Sequence, residues 1–526
     1  MKYFSLLLLT LSIVLFSCKK DKNPETQATG TTFLTTENLS SRIDYFWNKI
    51  EPFPKSLNDS ITFYHLADVT SPTVNGEICS ATSIEIVGNL CYVTYHIAGA
   101  VYGGAIEVFD ISTPANPELI SQLILTDTDF NHCTISDGKL YAVGGRDIYS
   151  SDFTINNTKG AILLEVTLNS GLLTTNFRWG VLPSYSGNSV NVVGDYLFVS
   201  AGSTGGGVFT LNKSDLSLVQ SDYFDNAKFC DIKNNQIGDQ MIVLQGYPEA
   251  NLHEYIAGSN NISGKTIHNI LNQNVPYNGK AVVHIDNDDV FVCTGVNGLM
   301  GFHTNALTTP FLDFDSPGDG HANGVHTDAN FIYIANGLEG LIIVNKDDYT
   351  IHSIFSYNGS ANYVRANGEY VFIANGKGGL KIIRRVDPLP EENDCASRPT
   401  LNPSSINGTF VINKKHSLAY SGTNILNGDF SNFGEFYFCG NLTLNKKMIL
   451  NNGSITEIEG TLHAKDLFIN PGSTLRIKGN LIVDGDLHLK GNLEFIGTNN
   501  VVTVAGSVIK TNGYVVSGIY TSNQVL

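Results

Sequence analysis

The stretch Val325-His-Thr-Asp-Ala-Asn-Phe-Ile-Tyr-Ile-Ala-Asn-Gly-Leu-Glu-Gly-Leu-Ile-Ile-Val344 is followed by a near copy, Val364-Arg-Ala-Asn-Gly-Glu-Tyr-Val-Phe-Ile-Ala-Asn-Gly-Lys-Gly-Gly-Leu-Lys-Ile-Ile383. Each reads as a short apolar strand, a turn, an aromatic and β-branched strand, then Gly and an aliphatic run. Such a unit, repeating at about 40–50 residues, cannot bury its own faces and marks the blade of a propeller. Working outward, one polar position just inside the first strand sets the register: Glu85, Thr134, Asn191, Asp231, His284, His326 and Arg365, at steps of 49, 57, 40, 53, 42 and 39. The third strand opens at Gly104, Gly160, Gly207, Gly298, Gly340 and Gly379. The copy around Asp231 lacks this third element, so seven blades are expected, with six as the alternative.

The two ends of the array are complementary. His65-Leu-Ala-Asp-Val-Thr-Ser-Pro72 matches the second half of a blade without its first half, and the last copy stops soon after its third strand. Ring closure, with the N-terminal segment completing the final blade, removes an exposed edge. Gly104-Ala-Ile-Glu-Val-Phe-Asp-Ile-Ser-Thr-Pro-Ala-Asn-Pro117 and Gly340-Leu-Ile-Ile-Val344 resemble the LVIVD repeat of bacterial and archaeal surface proteins. The resemblance covers roughly residues 60–388 and implies four-stranded blades.

At 526 residues two or more domains are expected, and a net charge of −17 argues against nonspecific nucleic-acid binding. Phe4 to Phe16 is apolar and of signal-peptide length, too short for a permanent membrane span. It ends in Leu15-Phe-Ser-Cys18, which resembles a bacterial lipobox and the lipoproteins of Bacteroidota-like bacteria. That resemblance implies a signal peptide over 1–17, lipidation of Cys18 and an outer-membrane location, periplasmic or surface-exposed. Residues 18–58 are expected to be a lipid-anchored spacer, mixed and weakly helical from Thr31 to about Asn58, and 59–388 the propeller.

A Pro-rich, acidic linker (389–404) is expected to hold the ring apart from a different repeat in 405–526. There Gly440-Asn-Leu, Gly460-Thr-Leu, Gly479-Asn-Leu and Gly491-Asn-Leu recur at steps of 20, 19 and 12. Short alternating strands at about 20 residues per cycle predict a small β-helix, with Leu442, Leu462, Leu481 and Leu493 stacked inside; a small antiparallel sandwich is the alternative. Of the cysteines beyond Cys18, four (Cys91, Cys133, Cys230, Cys293) lie in or beside strand patterns and are expected as buried apolar groups, while Cys395 and Cys439 could pair.

Inner strands of a propeller face its axis, so the polar column is expected along the channel, with Asn131-His132, Asn188, Lys228, Lys280, His321-Ala-Asn323 and Asn362 around one mouth. Candidate ligand-binding residues are therefore Glu85, His132, Asn191, Asp231, His284, His321, His326 and Arg365. A water-filled channel explains the same polarity. Converging imidazoles and carboxylates could bind a transition metal, and the Asp-rich segments at 127–129, 286–289 and 313–319 could bind calcium, but no cofactor is assigned. No G-x-S-x-G, H-E-x-x-H or Walker motif is present. A non-catalytic binding or scaffold protein is the preferred reading, with Tyr185, Tyr247 and Tyr277 as loop aromatics for a protein or glycan partner; a metal-dependent or quinoprotein-like enzyme is the alternative.

Overall fold

The computed structural model describes residues 25–27, 31–34, 42–52, 61–150, 159–202, 204–258, 261–271, 275, 279–386, 399–401, 408–414, 416–511 and 513–526. The leader, Cys18, Tyr277, Cys395 and most of the 389–404 linker lie outside them. Among the described residues no helix is long and apolar enough to cross a membrane.

Seven antiparallel sheets form the blades of one propeller. Their inner strands are Ser80–Val87, Thr128–Ser136, Ser186–Val193, Ala227–Ile232, Val283–Asp286, Gly324–Thr327 and Tyr363–Asn367. The column residue of each inner strand pairs with an aromatic of the second strand: Tyr92, Tyr141, Phe198, Phe291, Tyr333 and Phe372, with Ile242 in blade four. One register therefore serves all seven blades, and the alternation that defines it puts each second-strand side chain into the wall between neighbouring sheets. All seven are buried.

Blade four is complete. Its third strand is Ala250–Ala257, opened by the buried Ala250 in place of glycine. Elsewhere the glycine is obligatory: at Gly340 φ is +90° and a Cβ would stand 2.2 Å from the Phe355 carbonyl oxygen.

The ring closes as the chain ends suggest. Thr62–Val69 is the fourth strand of blade seven, paired with Leu380–Val386. The segment before it departs from the expected helical spacer. Ile43–Ile50 adds a fifth strand outside Thr62–Val69, while Thr31–Leu34 and Glu25–Gln27 extend the outer edge of blade one. Open blade edges carry unpaired backbone groups, and an extended segment satisfies them where an isolated short helix would not.

The C-terminal unit is a parallel β-solenoid built from one 10-stranded sheet. Gly440, Gly460 and Gly479 stack in register, each at φ between +117° and +137°, and a Cβ on any of them would strike the preceding glycine's carbonyl at 2.1–2.2 Å. Leu442, Leu462 and Leu481 stack beneath them, but the next rung is Val502. Leu493 is buried in a different ladder, below Leu475. The step of 12 marked a corner rather than a full coil.

The two units touch. Lys414 Nζ donates to the Ser112 carbonyl at 2.6 Å, and an Arg476 guanidinium nitrogen donates to the Tyr64 hydroxyl at 3.2 Å. The solenoid thus packs on the ring face that carries the first turns of blades one and seven, where a groove of about 360 Å³ runs between them. The expected separation by the linker is not what the chain adopts.

Candidate functional site

Blades one to four share an irregularity the sequence pattern did not reveal. Each inner strand carries a bulge that leaves one residue out of the ladder: Thr82, Asn131, Asn188 and Lys228. A bulge re-aims its side chain, and here the side chain reaches the next blade. Thr82 donates to the Phe130 carbonyl at 2.8 Å, Asn131 to Gly187 at 2.9 Å, Asn188 to Ala227 at 2.7 Å and Lys228 to Gly279 at 2.9 Å. The same relay continues through Asn323 to Ala361 and Asn362 to Ala81, both at 3.0 Å. In each link the acceptor is the carbonyl just before the next blade's own relay residue.

The seam between blades five and six is different. Among the described residues it has no side-chain link of this relay and is joined there by backbone, Gly295 N–H to the Ala322 carbonyl at 3.2 Å; Gly337 and Gly376 make the same bridge alongside the Asn323 and Asn362 links. Lys280, the blade-five residue in the relay position, is released to cross the mouth. Its Nζ donates to the carbonyls of Thr82 at 2.6 Å and Asn131 at 3.0 Å, and lies 4.7 Å from the centre of the Tyr363 ring.

Beneath Lys280 the channel is filled. His132, Phe229 and Tyr363 come from blades two, four and seven, yet their ring centres lie 5.0–6.2 Å apart. Side chains of non-adjacent blades can meet only across the axis. Burial holds His132 neutral, well below the ordinary histidine range, helped by Lys280 and Arg365.

The polar column lies one layer deeper. Arg365 and Glu85 meet at 3.4 Å across the closure seam. His284 lies 3.6 Å from Asp231, and the His284 and His326 rings stack at 4.5 Å. Burial, then His284 and Arg365, hold His326 well below its ordinary range. Asn191 donates to the Cys230 carbonyl at 2.8 Å. Of the four candidate histidines, only His284 and His326 meet. His132 belongs to the plug, and His321 lies on the rim against Gly337.

Among the described residues no group of three or more His, Cys, Asp or Glu side chains converges to hold a metal ion. Two of the acidic segments are ion-paired instead: Asp127 with Arg146, Asp286 with Lys346, Asp288 with Lys233 and Asp289 with His303. Cys79, Cys91, Cys133, Cys230 and Cys293 are free and buried. Cys439 is disulfide-bonded, to a residue outside those described.

Above the plug opens a cavity of about 450 Å³, lined by Ser80, Thr82, His96, Asn131, Ser186, Asn188, Gly202, Asn226, Lys228, Gly279, Lys280, Ser360 and Asn362. Sequence reasoning placed Asn131, Asn188, Lys228, Lys280 and Asn362 at this mouth. It missed the serines, although Ser186-Gly-Asn188 and Ser360-Ala-Asn362 repeat one pattern.

The LVIVD repeat is matched at residues 319–345 and 358–383, which are parts of blades six and seven. No curated protein matches the chain. Among solved structures, the WD40 β-propeller domain of Doa1 is similar at 9% identity and a TM-score of 0.43, covering 60% of this chain and 95% of that one. The computationally designed Ika8 protein is similar at 7% identity and a TM-score of 0.39, covering 59% and 98% respectively.

Proposed function

We propose that this chain is a lipid-anchored outer-membrane protein that binds or scaffolds a protein or glycan partner through its propeller loops, without catalysis of its own. One observation carries the reading: a concave polar mouth stands over a plugged channel, so a ligand would rest on the ring rather than pass through it. Tyr185, about half exposed (48%), precedes the lining residue Ser186, and Tyr247 (47%) follows Gly246, whose N–H bonds to the carbonyl of lining Asn226; both supply aromatic contact area. The lipobox-like Leu15-Phe-Ser-Cys18 supports the anchor.

Capture of a defined protein or glycan by the intact chain, from a glycan array or a cell-envelope extract, is the expected result. A panel with no ligand for the folded chain would count against the binding role. Metabolic fatty-acid labelling that is lost in Cys18→Ala tests the anchor separately, and equal labelling of both forms would remove it.

A further inference from the structure

Resting on that binding reading, we infer that the mouth cavity is a site for a carboxylate-bearing polyol of the hexuronate class, its carboxylate meeting Lys280 and Lys228 and its hydroxyls the Ser and Asn rim. The charge of the lining is one-signed. Among the described residues the lining side chains are hydroxyls, amides, one imidazole and two lysines, with no carboxylate, in a chain whose net charge is −17. The two ammonium groups are thus concentrated at the one concave site built by nearly every blade.

Lys280 is the sharper of the two. Backbone carbonyls and an aromatic face surround its Nζ, and among the ion pairs of the described residues none involves it. Carbonyl dipoles hold an ammonium in place without neutralising it, so the ammonium form of Lys280 stands beside the cavity with its charge uncompensated. Burying an unpaired charge is costly, and a bound anion relieves that cost. The cavity volume lies within the range of small-molecule sites, about 300–1,000 Å³. Acetate or phosphate alone would leave most of the rim unmet. The rim itself is preordered, because Ser186 bonds to Asn131 and Asn188, and Ser360 to Asn362. Hydroxyl groups arrayed in this way can each still exchange a hydrogen bond with a ligand hydroxyl.

Titration supplies a signature. Burial lowers Lys280 to about 7 and Lys228 to about 8. The other groups facing Lys280 stay neutral around these values: His96 is lowered to about 4, His132 is held well below its range, and the Cys133 thiol and Tyr363 phenol are pushed up. The Glu85–Arg365 pair lies in the deeper layer. An anion binds the ammonium form, so binding takes up protons near neutral pH and weakens as pH rises above about 8.

The test is calorimetric titration of the full chain with D-glucuronate, D-glucose, acetate and inorganic phosphate, at pH 6.5 and 9. Glucuronate should bind one to one, at least tenfold tighter than glucose and acetate, with affinity falling tenfold or more at pH 9. Lys280→Met, which keeps the stem, should abolish that preference while circular dichroism shows the same fold; Lys228→Met serves if Lys280→Met misfolds. Equal binding of glucose and glucuronate, or phosphate binding tighter than glucuronate, would overturn the assignment. So would silence to all four ligands. A protein or glycan partner captured equally by wild type and Lys280→Met would sink the mouth site yet leave the binding role standing, whereas failure to capture any partner would strike the broader role itself.

Discussion

Blades one to four and blades five to seven close the same ring by two routes. In the first group the inner strands are long and bulged side chains make the seams. In the second group the inner strands are short, and the hairpin after the second strand is a tight Thr/Asn-Gly-x-x-Gly loop. Gly295, Gly337 and Gly376 in these loops form isolated bridges to Ala322, Ala361 and Ala81 of the following blade. A short inner strand frees its first residues from its own ladder, and the neighbour's loop takes them up. At the seams from blade one to blade five a side chain alone reaches across, whereas the Asn323 and Asn362 seams carry both kinds of link. The residues matched by the LVIVD repeat lie in blades six and seven, two of the blades with glycine-bridged seams.

The largest effect should come from the strand both groups depend on. Deleting residues 1–69 removes Thr62–Val69 and exposes the edge of Leu380–Val386. Loss of a cooperative thermal transition, with aggregation, is expected. Deleting only 1–41 should lower Tm by about 5 °C, since blade edges rather than ring closure are lost. Similar melting of the two truncations would break the closure argument.

Next, the seam types can be cut one at a time. Gly337→Val forces a β-branched residue to φ +60°, with its Cβ 3.2 Å from His321, and should cost about 2–3 kcal/mol in urea denaturation. Asn188→Leu leaves the Ala227 carbonyl without its side-chain donor and should cost about 1–2 kcal/mol. If Asn188→Leu proves as costly as Gly337→Val, the side-chain seams are not the softer kind.

The smallest effect concerns pH. Asp129, beside the bulge of blade two, accepts the Gly103 N–H at 3.0 Å, and burial raises its carboxyl to about 7. With the folded pKa above the unfolded one, its favourable contribution is present at low pH and is lost as pH rises from about 4 through 7. Asp129→Asn should therefore raise Tm at pH 8 and leave it nearly unchanged at pH 4.5. No blade of the tight-loop group is expected to show this dependence at the matching position, because Gly279, His321 and Ser360 carry no carboxylate there.

Much of this was legible in the residues. Strand alternation gave the column from Glu85 to Arg365, and the half-blade at His65–Pro72 foretold closure. What was hidden depends on partners distant in sequence. A bulge changes pairing without changing composition, so Asn131, Asn188 and Lys228 read only as loop positions at the mouth and Thr82 was not singled out. Ala250 could replace glycine because that turn needs no left-handed residue at the strand's start. The outer strands at Thr31–Leu34 and Ile43–Ile50 exist only because folded edges await them. Of the candidate site, the mouth loops were visible as positions, but the crossing of Lys280 was not, since it depends on which seam the backbone closes.

The N-terminal segment has a mechanical consequence. It clips first onto the rim of blade one and then onto blade seven, straddling the seam where the ring begins and ends. Tension applied at a tether ahead of Glu25 would peel Glu25–Gln27 and Thr31–Leu34 from the edge before any load reached Thr62–Val69. Under such a load those short ladders would act as a fuse, lengthening while the seven-bladed mouth keeps its shape.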